Sequence, residues 1–354
     1  MRKPIIDFVE AKIDALIVSS LPNIEYLSGF DGSNALLLIE RGGETTLFTD
    51  PRYKLAAGLV FSGTVRIVKN RSSLAYAALQ LALKRKHRKI GFERLHLTYA
   101  EYQTIAKDLP LSVELIPAGG DIEKQRMVKD VPELAAIRKA VHTNSAAFEA
   151  AIKKVKIGMT EIDLAAEIDY QQRRRGASGT AFDTIVAFGE HTALPHAHPG
   201  TAKLAKDEII LIDVGARQDG YTSDMTRMLS VGTIGTRLKL LYAAVLESQL
   251  AAIDVIREGV TAQKVDLAAR SVLKAQGLDK AFVHSTGHGL GLEIHEAPSL
   301  RKKDKTPLIA GMVITVEPGA YVEGVGGIRI EDTVLVTKNG YEILTPTRKE
   351  LIQL

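Results

Sequence analysis

The segment STGHGLGLEIHEAP, residues 285–298, sets His288 between two glycines and His295 directly before Glu296. Glycine on both sides lets neighbouring backbone come close to an imidazole, and a neutral imidazole is a common metal ligand. His288 is suited to holding a metal, which leaves His295 for another task. In IILIDVGARQDGYTSDMTRML, residues 209–229, two apolar strands are expected around a turn at ARQDG. A Gln218–Asp219 loop would set Asp213 directly opposite Asp224. An Asp219–Gly220 turn would set Asp213 opposite Thr226 and diagonal to Asp224. In either register both carboxylates share one face, roughly 5 to 8 Å apart at Cβ. Like charges so close in an apolar strand require a cation or a shared proton.

A second hairpin repeats the pattern. GMVITVEPGAYVEGVGGIRIEDTVLV, residues 311–336, turns around EGVGG, and a loop centred on Gly324 sets Glu317 opposite Glu331. The even separation favours one face unless a bulge at the glycines breaks the parity. Arg329 shares the face of Glu331, whereas Asp332 points the other way. Any one of these acids alone reads as an ordinary strand-end or turn residue. Two apolar hairpins that each present such a pair point to a metal centre, and four carboxylates with an imidazole suit two hard or borderline divalent ions bridged by carboxylates. The chain has no cysteine, so thiolate ligation and disulfides are excluded and any metal must be held by oxygen and imidazole. Six of the nine histidines fall between residues 191 and 295, too concentrated for scattered surface polarity, although His191 and His198 fit that description singly. His87, His96 and His142 stand in polar settings and are assigned no role.

The elements that must position these side chains are legible in outline. Hydrophobic residues make up 45% and charged residues 25% of 354, the composition of a globular chain, and no run approaches the ~18 apolar residues of a membrane span. The start, MRKPIIDFVEAKIDALIVSS, is basic but places acids where a signal peptide needs an apolar core, so a mature cytoplasmic protein is expected. Lys and Arg number 46 against 42 acids and are scattered. The one dense basic run, KRKHRK at 84–89, follows LAYAALQLAL and reads as a solvated helix end, so no nucleic-acid partner is expected. In the first third ALIVSS, ALLLIE, TTLFTD, VRIV, KIGFE and SVELIPA predict strands, with a helix over 73–86: an α/β domain. The polar stretch GGDIEKQRMVKDVPE, 119–133, marks a boundary, giving domains 1–124 and 125–354. Beyond it, helical patterns at 132–155, 160–175, 236–258 and 261–277 alternate with expected hairpins at 181–189, 208–230 and 311–337. Helices on one face of an antiparallel sheet, an α+β layout, fit this order.

With those residues in hand, the chain resembles the pita-bread metallopeptidases, in the proline-directed branch of Xaa-Pro aminopeptidase and Xaa-Pro dipeptidase. LIDVGARQDGYTSDMTR, HSTGHGLGLEIHE, ITVEPGAY and GIRIEDT carry the resemblance, in the family's order and spacing. FDTIVAFGEHTALPHAHP at 182–199 extends it. NIEYLSGFDGSNALLLI and LFTDPRY resemble the family's creatinase-type N-terminal domain, so coverage is essentially complete. The resemblance implies Asp213, Asp224, His288, Glu317 and Glu331 as ligands of two divalent ions, with Asp224 and Glu331 bridging. Manganese is favoured by the carboxylate-rich set, with cobalt, zinc or iron as alternatives. His196, His284 and His295 match the family's non-ligand active-site histidines, and Arg329 would brace the ligands through Glu331 or nearby acids. His191 and His198 stand where relatives often carry asparagine and arginine. HEAPSLR places Ser299 and then Arg301 after the HE pair, where some short dipeptidases have an earlier arginine, which argues against a strict need for a substrate carboxylate.

The activity implied is hydrolysis of the bond between an N-terminal residue and proline in a di- or oligopeptide. Two ions sharing a water would bring its pKa near neutral, Glu317 would take the proton, and His295 or His196 would stabilise the oxyanion. A methionine aminopeptidase shares the core but lacks the N-terminal domain and the PHAHP motif. A creatinase-like amidinohydrolase has both domains but not the metal carboxylates, and a metal-free pita-bread peptide-binding module would have lost ligands. A homodimer is expected from the resemblance.

Overall fold

The computed structural model describes residues 6–69, 73–107 and 109–354, so the basic start at Arg2 and Lys3 lies outside the described residues. The chain divides into two compact units, Met1–Arg126 and Met127–Leu354.

All six apolar runs of the first unit form strands: β1 (Ala15–Val18), β2 (Ala35–Glu40), β3 (Thr45–Thr49), β4 (Thr64–Ile67), β5 (Lys89–Glu93) and β6 (Glu114–Ala118). They make one mixed sheet in the order β4-β3-β2-β1-β5-β6, in which β1–β2 and β2–β3 are antiparallel and the outer pairs parallel. Between them run the helices α1 (Leu21–Ser28), α2 (Lys54–Val60), α3 (Leu74–Lys84) and α4 (Tyr99–Ala106). The amphipathic α3, capped by Ser73, buries Ala75, Ala78, Leu79 and Ala82 with Ile17, Leu38 and Phe48 of the sheet. The basic run that follows is exposed except at His87, whose ring meets the buried Glu40 carboxylate at 2.5 Å, alongside Arg85. The polar stretch expected at the boundary is folded: after Gly119 and Gly120, both at positive φ, Asp121–Met127 forms α5.

The second unit pairs helices with antiparallel sheets. Helices α6 (Val131–Ile152) and α7 (Glu161–Arg174) each begin with a capping box, from Asp130 and Glu133 and from Thr160 and Asp163. Their apolar faces, including Phe148, Leu164 and Ile168, bury against Ile210, Ile212 and Val214. Helices α8 (Thr236–Asp254) and α9 (Ala262–Ala275) cover the other half through Leu241, Val245, Val265 and Ala269, which meet Ile314, Ile328 and Val334.

The strands of this unit are β7 (Gly179–Thr180), β8 (Ile185–Phe188), β9 (Glu208–Val214), β10 (Ala216–Gln218), β11 (Tyr221–Thr222), β12 (Met225–Val231), β13 (Gly287–Gly289), β14 (Glu296–Leu300), β15 (Val313–Val316), β16 (Gly319–Val322), β17 (Gly326–Arg329), β18 (Asp332–Val336), β19 (Tyr341–Ile343) and β20 (Ile352–Gln353). The two larger sheets run β20-β12-β9-β8 and β14-β13-β15-β18-β19. The expected hairpins at 208–230 and 311–337 form. The one expected at 181–189 does not: β7 pairs with β10 and β8 with β9, in different sheets. A short alternating run looks the same whether it pairs with its neighbour or with a distant strand, and here β9, buried from Ile209 to Val214, wins. The layout is α+β, as the order of the elements requires.

Candidate metal centre

The first hairpin takes the diagonal of its two possible registers. Asp213 pairs with Thr226 and Gln218 with Tyr221, which leaves Asp219–Gly220 as a two-residue turn. Both turn residues have positive φ, 51° and 83°, the signature of a type I′ turn. Asp213, Thr226 and Asp224 therefore share a face. In the second hairpin Val316 pairs with Asp332 and Gly319 with Arg329, one register carried across the break between two ladders. Glu317 and Glu331 occupy opposed positions in that break.

His288 lies in β13, where the neighbouring backbone is very close. A Cβ on Gly287 would fall 2.0 Å from the Thr315 carbonyl oxygen, and one on Gly289 2.3 Å from that of Ala297, so only glycine fits on either side. The His288 ring gives Nδ1 to the Gly289 carbonyl at 3.0 Å, which turns Nε2 toward Glu317 Oε1 at 3.2 Å and Asp224 Oδ2 at 3.6 Å. Asp224, His288 and Glu331 each offer a ligand atom, all within 4.8 Å of one another.

The electrostatics of this cluster are those of acids crowded out of water. Burial raises the Asp224 carboxyl well above the usual range, and the charge of Asp213 adds to the rise. Burial also lifts Glu331 well above its ordinary value, with Asp224 and Glu317 contributing. Asp213 is raised by burial too, against the pull of the Arg329 guanidinium. For His288 burial works the other way, but the Glu317 and Asp224 carboxylates outweigh it and push the imidazole up to about 9. Glu317, buried but bonded to His288, is held down at about 2. The cluster has more buried carboxyls, Asp213, Asp224, Glu317 and Glu331, than one imidazolium and one guanidinium could balance if all were ionised.

Three threonine hydroxyls, each two positions from one of the acids, brace the cluster, and two of them reach across to the other hairpin. Thr226 Oγ1 donates to Glu331 Oε2 at 2.8 Å, Thr315 Oγ1 to Glu317 Oε1 at 3.1 Å, and Thr333 Oγ1 to the Asp224 carbonyl at 2.9 Å. Arg329 donates through Nη2 to Asp213 Oδ2 at 2.6 Å, so it braces Asp213, and through Nη1 to the Tyr321 hydroxyl at 2.7 Å and the Pro195 carbonyl at 3.0 Å. Tyr321 in turn meets His284 Nε2 at 2.9 Å, while His284 Nδ1 meets the Ser285 carbonyl. Tyr321 and the three threonines were not singled out from sequence. The spacing that could have found them is the same period of two that places the acids, since Asp224–Thr226, Thr315–Glu317 and Glu331–Thr333 are all i, i+2 pairs. Asp332, expected to face away, does so: it is fully buried against Arg227 at 2.7 Å and Gln249 at 2.8 Å.

All of the expected site residues line one cavity of about 600 Å³: Asp213, Asp224, His288, Glu317 and Glu331, with His196, His284, His295 and Arg329 around them. His198 borders it as well, whereas His191 instead gives Nδ1 to the buried Glu161 at 2.8 Å. The His295 ring stands edge-on to His288, centroids 4.4 Å apart. Burial and the neighbouring His288 charge lower the His295 pKa.

The description "Metallopeptidase family M24" matches residues 135–338, and "Creatinase/Prolidase N-terminal domain" matches residues 7–128. The chain belongs to metallopeptidase family M24. An M24 relative, the Xaa-Pro dipeptidase of Pyrococcus horikoshii, is 35% identical over 99% of this chain and 98% of its own length. Among solved structures, an Xaa-Pro dipeptidase from Bacillus anthracis superposes with a TM-score of 0.93 at 36% identity, covering 98% of this chain and 97% of that one. An X-Pro aminopeptidase from Thermotoga maritima gives 0.89 at 34% identity, with 97% and 98% covered.

Membership of M24 makes the protein a metallopeptidase and implies a divalent metal cofactor. The donor set of this M24 chain fits one. Asp213 Oδ1 and Glu331 Oε1 are buried side-chain oxygens without a hydrogen-bond partner among the described residues, beside carboxyls that burial holds from ionising. Oxygen-rich ligation with one imidazole suits hard or borderline divalent cations.

Proposed function

We propose that the protein is a metal-dependent exopeptidase that hydrolyses the bond between an N-terminal residue and proline. The observation that carries this reading is the convergence of four carboxylates and His288, from two hairpins and a glycine-flanked strand, on one cavity walled by further histidines. In this proposal Asp213, Asp224, His288, Glu317 and Glu331 hold two divalent ions, manganese by preference. Bound divalent ions supply Lewis acidity and lower the pKa of water toward about 7. Glu317, ionised across the neutral range, accepts the proton of the attacking water through its carboxylate and passes it to the proline nitrogen as the C–N bond breaks. His295, its pKa lowered first of all by burial, donates an N–H to the developing oxyanion, with His196 beside it on the cavity wall. His284 is held by Tyr321, and Arg329 orients Asp213 and opposes the rise that burial imposes on its carboxyl.

The cavity has the volume of a small-peptide site, and Phe182, Ile185, Pro195 and Ile294 give it an apolar side suited to a pyrrolidine ring. An imide nitrogen has no N–H to recognise, so selection for proline falls to shape. Relatives are named both Xaa-Pro dipeptidase and X-Pro aminopeptidase, so substrate length is what the test decides. Protein stripped with a chelator and assayed on Ala-Pro and Ala-Pro-Ala, with and without manganese, tests the proposal. Metal-dependent cleavage of the dipeptide alone makes it a dipeptidase, cleavage of the tripeptide makes it an aminopeptidase, and cleavage of neither overturns it. The same proposal has the enzyme working as a cytoplasmic homodimer. Sedimentation that finds only monomer at assay concentrations would refute the dimer.

A further inference from the structure

The acid of the HE pair, Glu296, has no part in the ligand set or the chemistry above, yet its side chain is only 6% exposed. Glu296 opens β14 immediately after His295. Its Oε1 accepts the Glu293 backbone N–H at 3.1 Å and so closes the turn that carries Ile294 and His295. Its Oε2 accepts from Lys129 Nζ at 3.1 Å, and the Lys129 side chain is 1% exposed. Lys129 is itself anchored, its backbone N–H bonded to the Gly311 carbonyl at 2.9 Å next to the Val128–Met312 bridge. Across the loop, Thr222 donates its backbone N–H to the Gly291 carbonyl at 2.8 Å and its hydroxyl to the same oxygen at 2.9 Å. The β13–β14 pairing shifts register after His288, and past the Leu290 N–H bond to the Val313 carbonyl at 3.2 Å residues 291–295 lie outside the strands. The loop is held by Thr222 at one end and by the Glu296 carboxylate at the other.

We propose that Glu296, held by its buried ion pair with Lys129, is a positioning residue for His295. The carboxylate locks the Glu293–Glu296 turn, and the turn keeps the His295 ring edge-on to His288 and facing the cavity. A displacement of about 1 Å at a reacting group can cost on the order of 10²-fold in rate. The inference rests on the reading that His295 acts on the substrate.

The test is a double-mutant cycle of Glu296→Ala and His295→Ala, assayed on whichever of Ala-Pro and Ala-Pro-Ala the wild type cleaves. Bound metal and thermal unfolding are measured alongside. Glu296→Ala is expected to lower kcat on the order of 10²-fold with KM within about threefold and metal content unchanged. In the His295→Ala background the same change is expected to alter kcat by less than about twofold, because there is no longer a ring to position. Glu296→Gln, which keeps an oxygen for the Glu293 N–H, is expected to lose less, and it takes the place of Glu296→Ala in the cycle if that variant does not fold. Multiplying losses, an unchanged kcat in the Glu296 variant, or loss of metal would each overturn the proposal. A His295→Ala protein with wild-type kcat, or a wild type that cleaves neither peptide, would instead sink the functional reading beneath it.

Discussion

Asp224 is 5% exposed, shares a strand face with Asp213, and lies 3.6 Å from His288. Its burial and its acidic neighbour both oppose ionisation, which a divalent cation would reverse. Asp224→Ala is therefore expected to lower the bound metal per chain, measured by elemental analysis. It is also expected to cut kcat/KM more than the ~10- to 100-fold typical of losing an outer partner. A variant that retains two ions per chain would remove Asp224 from the ligand set. His295→Ala is expected to keep the metal and lose about 10²- to 10³-fold in kcat. Loss of metal in that variant would mean that His295 is a ligand. The acids were readable because their shared face follows from parity within each hairpin, and His288 because glycine stands on both sides of it. Tyr321 was not, since its hydroxyl reaches His284 and Arg329 only once β16 and β17 are paired.

The elements that position the site were legible where their pattern is local. Both hairpins could be placed, and the second in its register, because glycine-rich turns and period-two alternation are properties of one continuous stretch. The first hairpin left two registers open, and the positive φ of Asp219 and Gly220 selects between them. The segment at 181–189 was misread because its partner strands lie elsewhere in the chain. The GHG strand depends on contact rather than on chain flexibility. Gly287→Ala would drive a Cβ to 2.0 Å from the Thr315 carbonyl oxygen, where backbone must move. The expected cost is about 1 to 3 kcal/mol, read as a drop in thermal midpoint, together with weaker metal binding as β13 shifts His288. Normal stability and normal metal affinity in that variant would show that the strand has room.

Over the whole molecule, the buried charges make stability depend on pH. A carboxyl raised in the folded state, as for Asp213, Asp224 and Glu331, contributes stability below its ordinary pKa of 3.8 or 4.5 and loses it as pH rises through the folded value. His288 contributes fully below 6.5, and its contribution is lost as pH rises through about 9. Glu317, held at about 2, contributes above 4.5 and loses it only in acid. His284 and His295, lowered by burial, cost stability as pH falls below 6.5. Chelator-treated protein is therefore expected to lose thermal stability between pH 6.5 and 9. Saturating metal should flatten that slope and add about 2.7 kcal/mol at a hundredfold excess over Kd. A midpoint that rises over this interval would refute the assignment of these shifts. By itself the sequence determined the elements of the first sheet, the two acid hairpins and the glycine-flanked histidine, because turn chemistry and strand parity act between near neighbours. Only the tertiary structure decided that the two hairpins and β13 share a cavity, that Arg329 braces Asp213, and that Glu296 meets Lys129. The last two contacts join residues more than a hundred positions apart, and all of them are set by which buried faces can close against one another.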